Sequence, residues 1–481
     1  MSERKLGQER APLWEALANH AAGRRARFHV PAHGGRFPAL KQLLGPGARF
    51  DLTELEGLDD LHAPAGPISE AEQLAAVSLG ADEAHFLVGG TSAGIEALLL
   101  AVARPGARVL IGRDAHRSVV AGLILAGADP VFMLPRIDAS GRSLGVPAEE
   151  VAAALAANPD AVACQLTNPN YFGVERDYTR ILASAAIPVL VDEAHGVDRY
   201  YSGPGAGGAL AGGAGGVALS MHKSGLSLTQ SAIVAVRGPA VNRGRLRAAL
   251  RLIQSSSPSY LLMASLDLAR RELAIRGAEL IAAARDRRQR LAERVAGIPG
   301  LAVWTPQGCG IRADHPLRLL IDVARLGISG WRAAEFLGAR GIDCELADFT
   351  GVLLALDCFG SETADRRLLA ALRELARAHR ENGRSPAARH HLPALPVAPH
   401  SRALTPREAF FAGSEYVPLN EAAGRIAADA VCPYPPGVPL LVPGEVVTTE
   451  DQTVVSAILR AGGRVQGLDA ADRIAGRMSS W

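Results

Sequence analysis

Between about residues 70 and 240, short apolar runs alternate with stretches whose apolar positions recur every three to four residues. Val109–Ile111, Ala161–Cys164 and Pro188–Val191 are predicted to be buried strands, with a further strand-like run at Val217–Leu219. Ala93–Ala103, Ser118–Ala126, Ala148–Ala157 and Tyr178–Ala185 are predicted to be helices. This alternation predicts an α/β fold with a largely parallel sheet covered on both faces. Ligands of such sheets sit beyond the carboxyl ends of the strands, so chemistry is expected in the loops just after them.

Farther along, Leu266, Leu273 and Leu280 fall seven apart with Arg and Glu between them, which predicts one long amphipathic helix over Leu261–Val295. Leu301–Arg377 alternates again and reads as a smaller α/β domain. The Gly/Ala-rich piece Ser202–Gly216 reads as a flexible loop. Residues 383–400, rich in Pro, Ala and His and without period, read as a linker. The last module carries Pro433–Pro439, a turn segment that cannot be helix interior. The expected partition is an N-terminal arm 1–70, a large domain 71–295, a small domain 296–382, the linker 383–400, and a C-terminal α+β module 401–481. No internal repeat is evident.

Composition narrows the class. The chain has 481 residues, 48% hydrophobic and 21% charged, as expected of a soluble protein with more than one domain. Basic and acidic residues number 51 and 49, and no basic block stands out, so neither a nucleic-acid nor a membrane partner is expected. The run Arg285–Arg288 reads as a solvated helix face. No apolar run is long enough for a bilayer, and the charged start Met1–Lys5 leads into no signal-like segment. Five scattered cysteines form no CxxC pair and no metal-like cluster, which fits a reducing, cytoplasmic setting.

Three elements carry candidate chemistry. Val88–Gly94 is a Gly- and hydroxyl-rich turn between a strand-like run and a helix. The amides of Gly90, Thr91 and Ser92 and the two hydroxyls suit a phosphate, and the same residues suit a plain helix cap. Val189–Gly196 is an apolar strand ending in Asp192, followed by Ala194 and His195. Such a carboxylate could pair with a protonated heterocyclic nitrogen, hold a metal, or cap a helix. Ser220-Met221-His222-Lys223 follows the run Val217–Leu219, and Lys223 lies 31 residues after Asp192. Lysine at the end of a buried strand is rare without a task, though a partly exposed loop lysine fits the pattern too.

The order of these three elements is that of a Schiff-base cofactor site, and here the chain resembles the fold-type I pyridoxal-phosphate enzymes. Specifically, it is similar to the ornithine/lysine/arginine decarboxylase family, short biosynthetic type without a wing domain. The blocks that carry the resemblance are Asp51–Leu55, Gly57–Leu61, Gly66–Ile68, Asp114–Ser118, Val191–Gly196, His222-Lys223, Gln254–Tyr260, Pro433–Pro439 and Pro443–Glu445. They run through nearly the whole chain.

The resemblance implies pyridoxal 5'-phosphate as cofactor, joined to Lys223, with Asp192 paired to its ring nitrogen. His116 would stack on one ring face and Ala194 on the other. Gly90, Thr91, Ser92, Ser220 and His222 would hold the phosphate, and Ser256 would reach the cofactor of a neighbouring subunit, implying a homodimer or larger symmetric assembly. Lys223 or His195 would return the proton after decarboxylation, while His195 could equally cap a loop. A basic substrate needs carboxylates, and Glu54, Asp59, Asp60, Glu345 and Asp348 are the candidates. Arginine is the first expectation, with lysine or ornithine next. An aminotransferase or lyase on the same fold, or a non-catalytic homologue, are the alternatives. The chain departs from the family pattern at Pro31–Gly34, Thr167–Tyr171 and Val197–Tyr201.

Overall fold

The computed structural model describes residues 7–23, 25–312, 315–380 and 400–477. The Met1–Lys5 terminus and the expected linker, His400 apart, lie outside the described residues. The chain forms two compact units, Met1–Val102 with Leu182–Glu279, and Ala103–Ile181 with Leu280–Trp481.

In the first unit four strands lie side by side in the order Glu83–Leu87, Ala232–Val236, Gly216–Leu219, Val189–Asp192. Val189–Asp192 and Gly216–Leu219 are parallel, as expected. Ala232–Val236 is antiparallel to both its neighbours. Residues 220–231, which connect it to Gly216–Leu219, form turns and no crossover helix, so the chain returns antiparallel. The two reversals cancel, so Glu83–Leu87 runs the same way as Gly216–Leu219. Leu87 pairs with Ala232, Leu219 with Ile233, and Asp192 with Ala218. Three strand ends therefore meet at one edge, each followed by one of the candidate loops.

One of these strands, Ala232–Val236, was not among the predicted ones. Ala232–Val236 is buried throughout and carries no alternation to read. Glu83–Leu87 is the strand-like run expected before Val88, and its polar residues are paired. His85 Nε2 lies 2.7 Å from Glu83, and its Nδ1 lies 3.5 Å from Glu72. Burial lowers the His85 pKa, but hydrogen bonds and charge from the two glutamates outweigh it and hold it up at about 9. Glu83 falls to about 2, chiefly through its hydrogen bond with His85. The expected flexible loop Ser202–Gly216 instead contains a helix, Gly208–Gly212, whose Ala209 N–H is caught by Glu193.

In the second unit Arg108–Gly112 lies parallel to Asp129–Met133 on one side and Ala163–Thr167 on the other. Helices Arg117–Ala126 and Ala148–Ala157 start and stop within a residue of expectation. Its smaller sheet runs Leu346–Ala347, Gly351–Ala355, Arg318–Asp322, Ala302–Val303 and is antiparallel. Leu319, Ile321, Val352, Leu369 and Leu372 form the core beneath it. The final module adds a three-stranded sheet and the helix Thr449–Arg460, opened by a capping box between Thr448 and Asp451. Tyr260–Ala296 is the long helix anticipated from the leucine heptads. Among the described residues no helix is long and apolar enough to cross a membrane, and no group of side chains could hold a metal ion.

Candidate active site

Each strand end of the first unit contributes one side of the site. Asp192 is the last residue of its strand and 4% exposed. Burial raises its pKa, and the Ala194 N–H at 3.0 Å and the charge of Lys223 only partly oppose that rise. A carboxylate so placed gains most from a buried cation. Across the parallel pair, the turn Ser220–Lys223 closes through Lys223 N–H on the Ser220 carbonyl at 3.2 Å. Lys223 Nζ lies 3.3 Å from His195 Nε2. Ser220 is fully buried, with its hydroxyl 3.1 Å from His222 Nδ1.

The third strand end opens the helix Gly90–Val102. Gly90 has φ +72, a conformation that favours glycine, and its N–H donates to the Gln230 carbonyl at 2.8 Å. The expectation for Gly90 is therefore corrected: its amide is engaged within the chain, and the backbone share of an anion cradle falls to Thr91 and Ser92. Those two residues stand in the first turn of a 13-residue helix, where N–H groups lack carbonyl partners. Gln254 secures the approach, accepting from Val88 N–H at 2.9 Å and donating to the Phe86 carbonyl at 3.3 Å. Ser256, two residues on, is exposed.

His116, Glu345 and Asp348 belong to the second unit. His116 caps the helix Arg117–Ala126, its Nδ1 accepting from Ser118 N–H at 3.2 Å. The Pro433–Pro439 turn packs on it: Arg117 N–H donates to the Gly437 carbonyl at 3.0 Å.

The five substrate carboxylates fare differently, and two are corrected. Asp59 accepts from the N–H groups of Asp60, Ala65, Gly66, Ile68 and Ser69, at 2.7 to 3.2 Å. It organises the loop ahead of the helix Pro67–Leu79 and has no oxygen to spare. Burial raises its pKa, but the backbone donors outweigh burial and lower it. Asp348 takes a two-pronged grip from Arg142, at 2.7 and 2.9 Å, and two more N–H groups from Thr350 and Gly351. It is a structural partner of a buried guanidinium. Asp60 accepts from His62 N–H at 2.8 Å. Glu345 accepts from Tyr171 OH at 2.6 Å. Glu54 accepts from the Thr53 hydroxyl, and its other oxygen is buried without a partner.

Sequence reading missed Glu193, the fully buried neighbour of Asp192, which accepts from Arg199, Tyr200 and Ala209. It also missed Arg142 and Tyr171, whose partners lie 206 and 174 residues away. One signal for Lys223 was available but unused. Of the 51 basic residues only three are lysine, at positions 5, 41 and 223. A guanidinium cannot replace an amine that must form a Schiff base.

Comparison with known proteins identifies the family. The model of the Orn/Lys/Arg decarboxylase major domain matches residues 11–312, and that of the C-terminal domain of the same family matches 391–464. The arginine decarboxylase of Bacillus subtilis (strain 168) is 38% identical over 479 residues, covering 96% of each chain. That of Halalkalibacterium halodurans is 37% identical over 474 residues, again with 96% of each chain covered. Among solved structures, the lysine decarboxylase LdcF of Francisella novicida superposes with a TM-score of 0.84 at 18% identity, over 97% of this chain and 80% of that one. This last likeness speaks to the fold alone. From the family match and the full-length identity together, the chain belongs to the Orn/Lys/Arg decarboxylases, a family of amino acid decarboxylases.

Proposed function

We propose that the protein decarboxylates arginine, using pyridoxal 5'-phosphate held by Lys223. The observation that carries this reading is the meeting at one sheet edge of a buried strand-end carboxylate, Asp192, and an amine, Lys223, whose Nζ is 3.3 Å from an imidazole. The residues present fit the cofactor. Asp192 needs a buried cation, which a protonated ring nitrogen supplies. The first turn of the helix Gly90–Val102 offers the N–H groups of Thr91 and Ser92 to a phosphate, with Ser220 and His222 alongside. Ala194 would pack against the ring, and His116 is kept as the residue that the family resemblance implies would stack on it. When bound, the cofactor would supply the sink for the electron pair that departing carbon dioxide leaves on Cα.

The chain's own residues then have distinct tasks. Asp192, itself buried, would keep the ring nitrogen cationic through a charge-assisted hydrogen bond. Lys223 supplies the amine, and His195 Nε2 is within reach to take a proton from Nζ or return one to it. Glu54 and Asp60 of the first unit, and separately Glu345 of the second, each retain an oxygen that suits a guanidinium. The arginine assignment follows the relatives' names. Exposed Ser256 fits a symmetric dimer in which it serves a neighbour's phosphate, and the same reading keeps the partition into large, small and C-terminal domains and a cytoplasmic setting.

The test is incubation of the cofactor-loaded protein with arginine, lysine and ornithine in parallel. Agmatine and carbon dioxide from arginine, formed without consuming a keto acid, are expected. Amine transfer to a keto acid would replace this reading with an aminotransferase, and no turnover of any of the three would replace it with a non-catalytic homologue.

A further inference from the structure

The turn that carries His195 is closed twice, once by backbone and once by a buried side chain. Glu193 N–H donates to the Ala218 carbonyl at 3.0 Å, extending the parallel pairing one residue beyond Asp192. Gly196 N–H then returns to the Glu193 carbonyl at 2.8 Å, and Arg199 N–H to the Gly196 carbonyl at 3.1 Å. The Glu193 side chain closes the second ring. Its carboxylate accepts from Arg199 Nη1 at 2.7 Å, from Tyr200 OH, and from Ala209 N–H at 3.1 Å. Glu193 is 0% and Tyr200 5% exposed. The Tyr200 ring occupies the space over Gly208, where a Cβ would come within 2.4 Å of it, and Gly208 has φ +51. On the opposite side, Val197 N–H donates to the Ser224 hydroxyl at 3.3 Å, and Ser224 is the residue after Lys223.

We propose that Glu193, Arg199 and Tyr200 form a positioning clamp that fixes the His195 imidazole on the Lys223 amine. The inference rests on the decarboxylase reading and deepens it. Arg199 and Tyr200 both stand within seven residues of Glu193 and are its side-chain donors. A carboxylate removed from water holds such donors in fixed directions, because each lost contact leaves charge unsatisfied. His195 is carried by the backbone between Glu193 and Gly196, which the clamp immobilises. A misplacement of its ring of about 1 Å is enough to slow proton exchange strongly.

The experiment is a double-mutant cycle on the cofactor-loaded enzyme, with Tyr200→Phe and His195→Asn made singly and together. Tyr200→Phe keeps the ring over Gly208 and removes one donor. We expect kcat for arginine to fall about tenfold with KM within about twofold of wild type, and the pH midpoint of the cofactor's visible absorbance to shift. In the His195→Asn background the same substitution should change kcat by less than about twofold. Arg199→Lys should retain most of the turnover that Arg199→Ala loses. An equal tenfold loss in both backgrounds, or a lowered melting temperature with kcat and absorbance midpoint unchanged, would overturn the clamp. A wild-type enzyme that binds cofactor but releases no carbon dioxide would overturn the decarboxylase reading instead, and the absorbance midpoints would still judge the clamp.

Discussion

Asp59 and Asp192 are both acidic residues at the start of a loop in the first unit, and the protein treats them in opposite ways. Asp59 collects five backbone N–H groups, and their combined pull lowers its pKa against the burial that raises it. Asp192 is more deeply buried, receives the Ala194 N–H, and keeps a raised pKa. Residue type and motif membership do not separate the two, since both sit in blocks shared with the family. The number of donors does. A carboxylate that the fold satisfies organises structure, whereas one that the fold desolvates and leaves short of partners is prepared for a ligand.

The sharpest way to break this comparison is at the amine beside Asp192. Lys223→Ala should abolish the visible absorbance of the bound cofactor and lower turnover by roughly a thousandfold or more. A purified variant with normal turnover would remove the assignment. Asp192→Asn should lower kcat about a hundredfold and stabilise the cofactor-free protein. The pH dependence of that stabilisation has a definite sign. With a native pKa above the unfolded value, the folded state holds a proton the unfolded chain has already released, so the burden of Asp192 grows as pH rises through that interval. The melting-temperature gap between variant and wild type should therefore widen above the usual aspartate range and close below it.

Asp59→Ala should do the reverse. It is expected to cost about 2–4 kcal/mol of stability, read from denaturant unfolding, because five donors lose their anchor and position 59 itself holds a positive φ that alanine tolerates less well. KM for arginine should not change, and a large rise would restore Asp59 to the substrate site. The smallest effect is expected at His85→Gln. His85 is held near 9 in the fold, so its ionic contribution is fully present below about 6.5 and is lost as pH rises through 9. The variant should be about 1–2 kcal/mol less stable at pH 6 and nearly equal to wild type by about pH 10.

The sequence was legible where information is local. Val189–Asp192 and Gly216–Leu219 are apolar runs ending in the residues that matter, and spacing along the chain was enough to connect them. It was illegible where distant residues decide a side chain's partners. Nothing near Asp348 announces Arg142, and nothing near Glu345 announces Tyr171. In Glu83–Leu87 the run itself was legible, but the partners of its charges, Glu72 and Arg247, lie outside the strand. Ser202–Gly216 looked featureless because glycine and alanine carry no pattern, and its helix depends on Glu193 and the Tyr200 ring.

One joint in the first unit reaches beyond geometry. Gln230, itself at φ 79, accepts from Gly90, and the carbonyl of the next residue, Ser231, lies 3.3 Å from His222 Nδ1. Two consecutive peptide groups thus splice the anion cradle to the lysine loop. Occupancy of the cradle should therefore damp fluctuations of the loop before any aldehyde arrives, so that inorganic phosphate alone slows amide deuterium uptake across residues 220–231. The two halves of the cofactor would then be received in order, the charged tail rigidifying the bed on which the reactive head is laid.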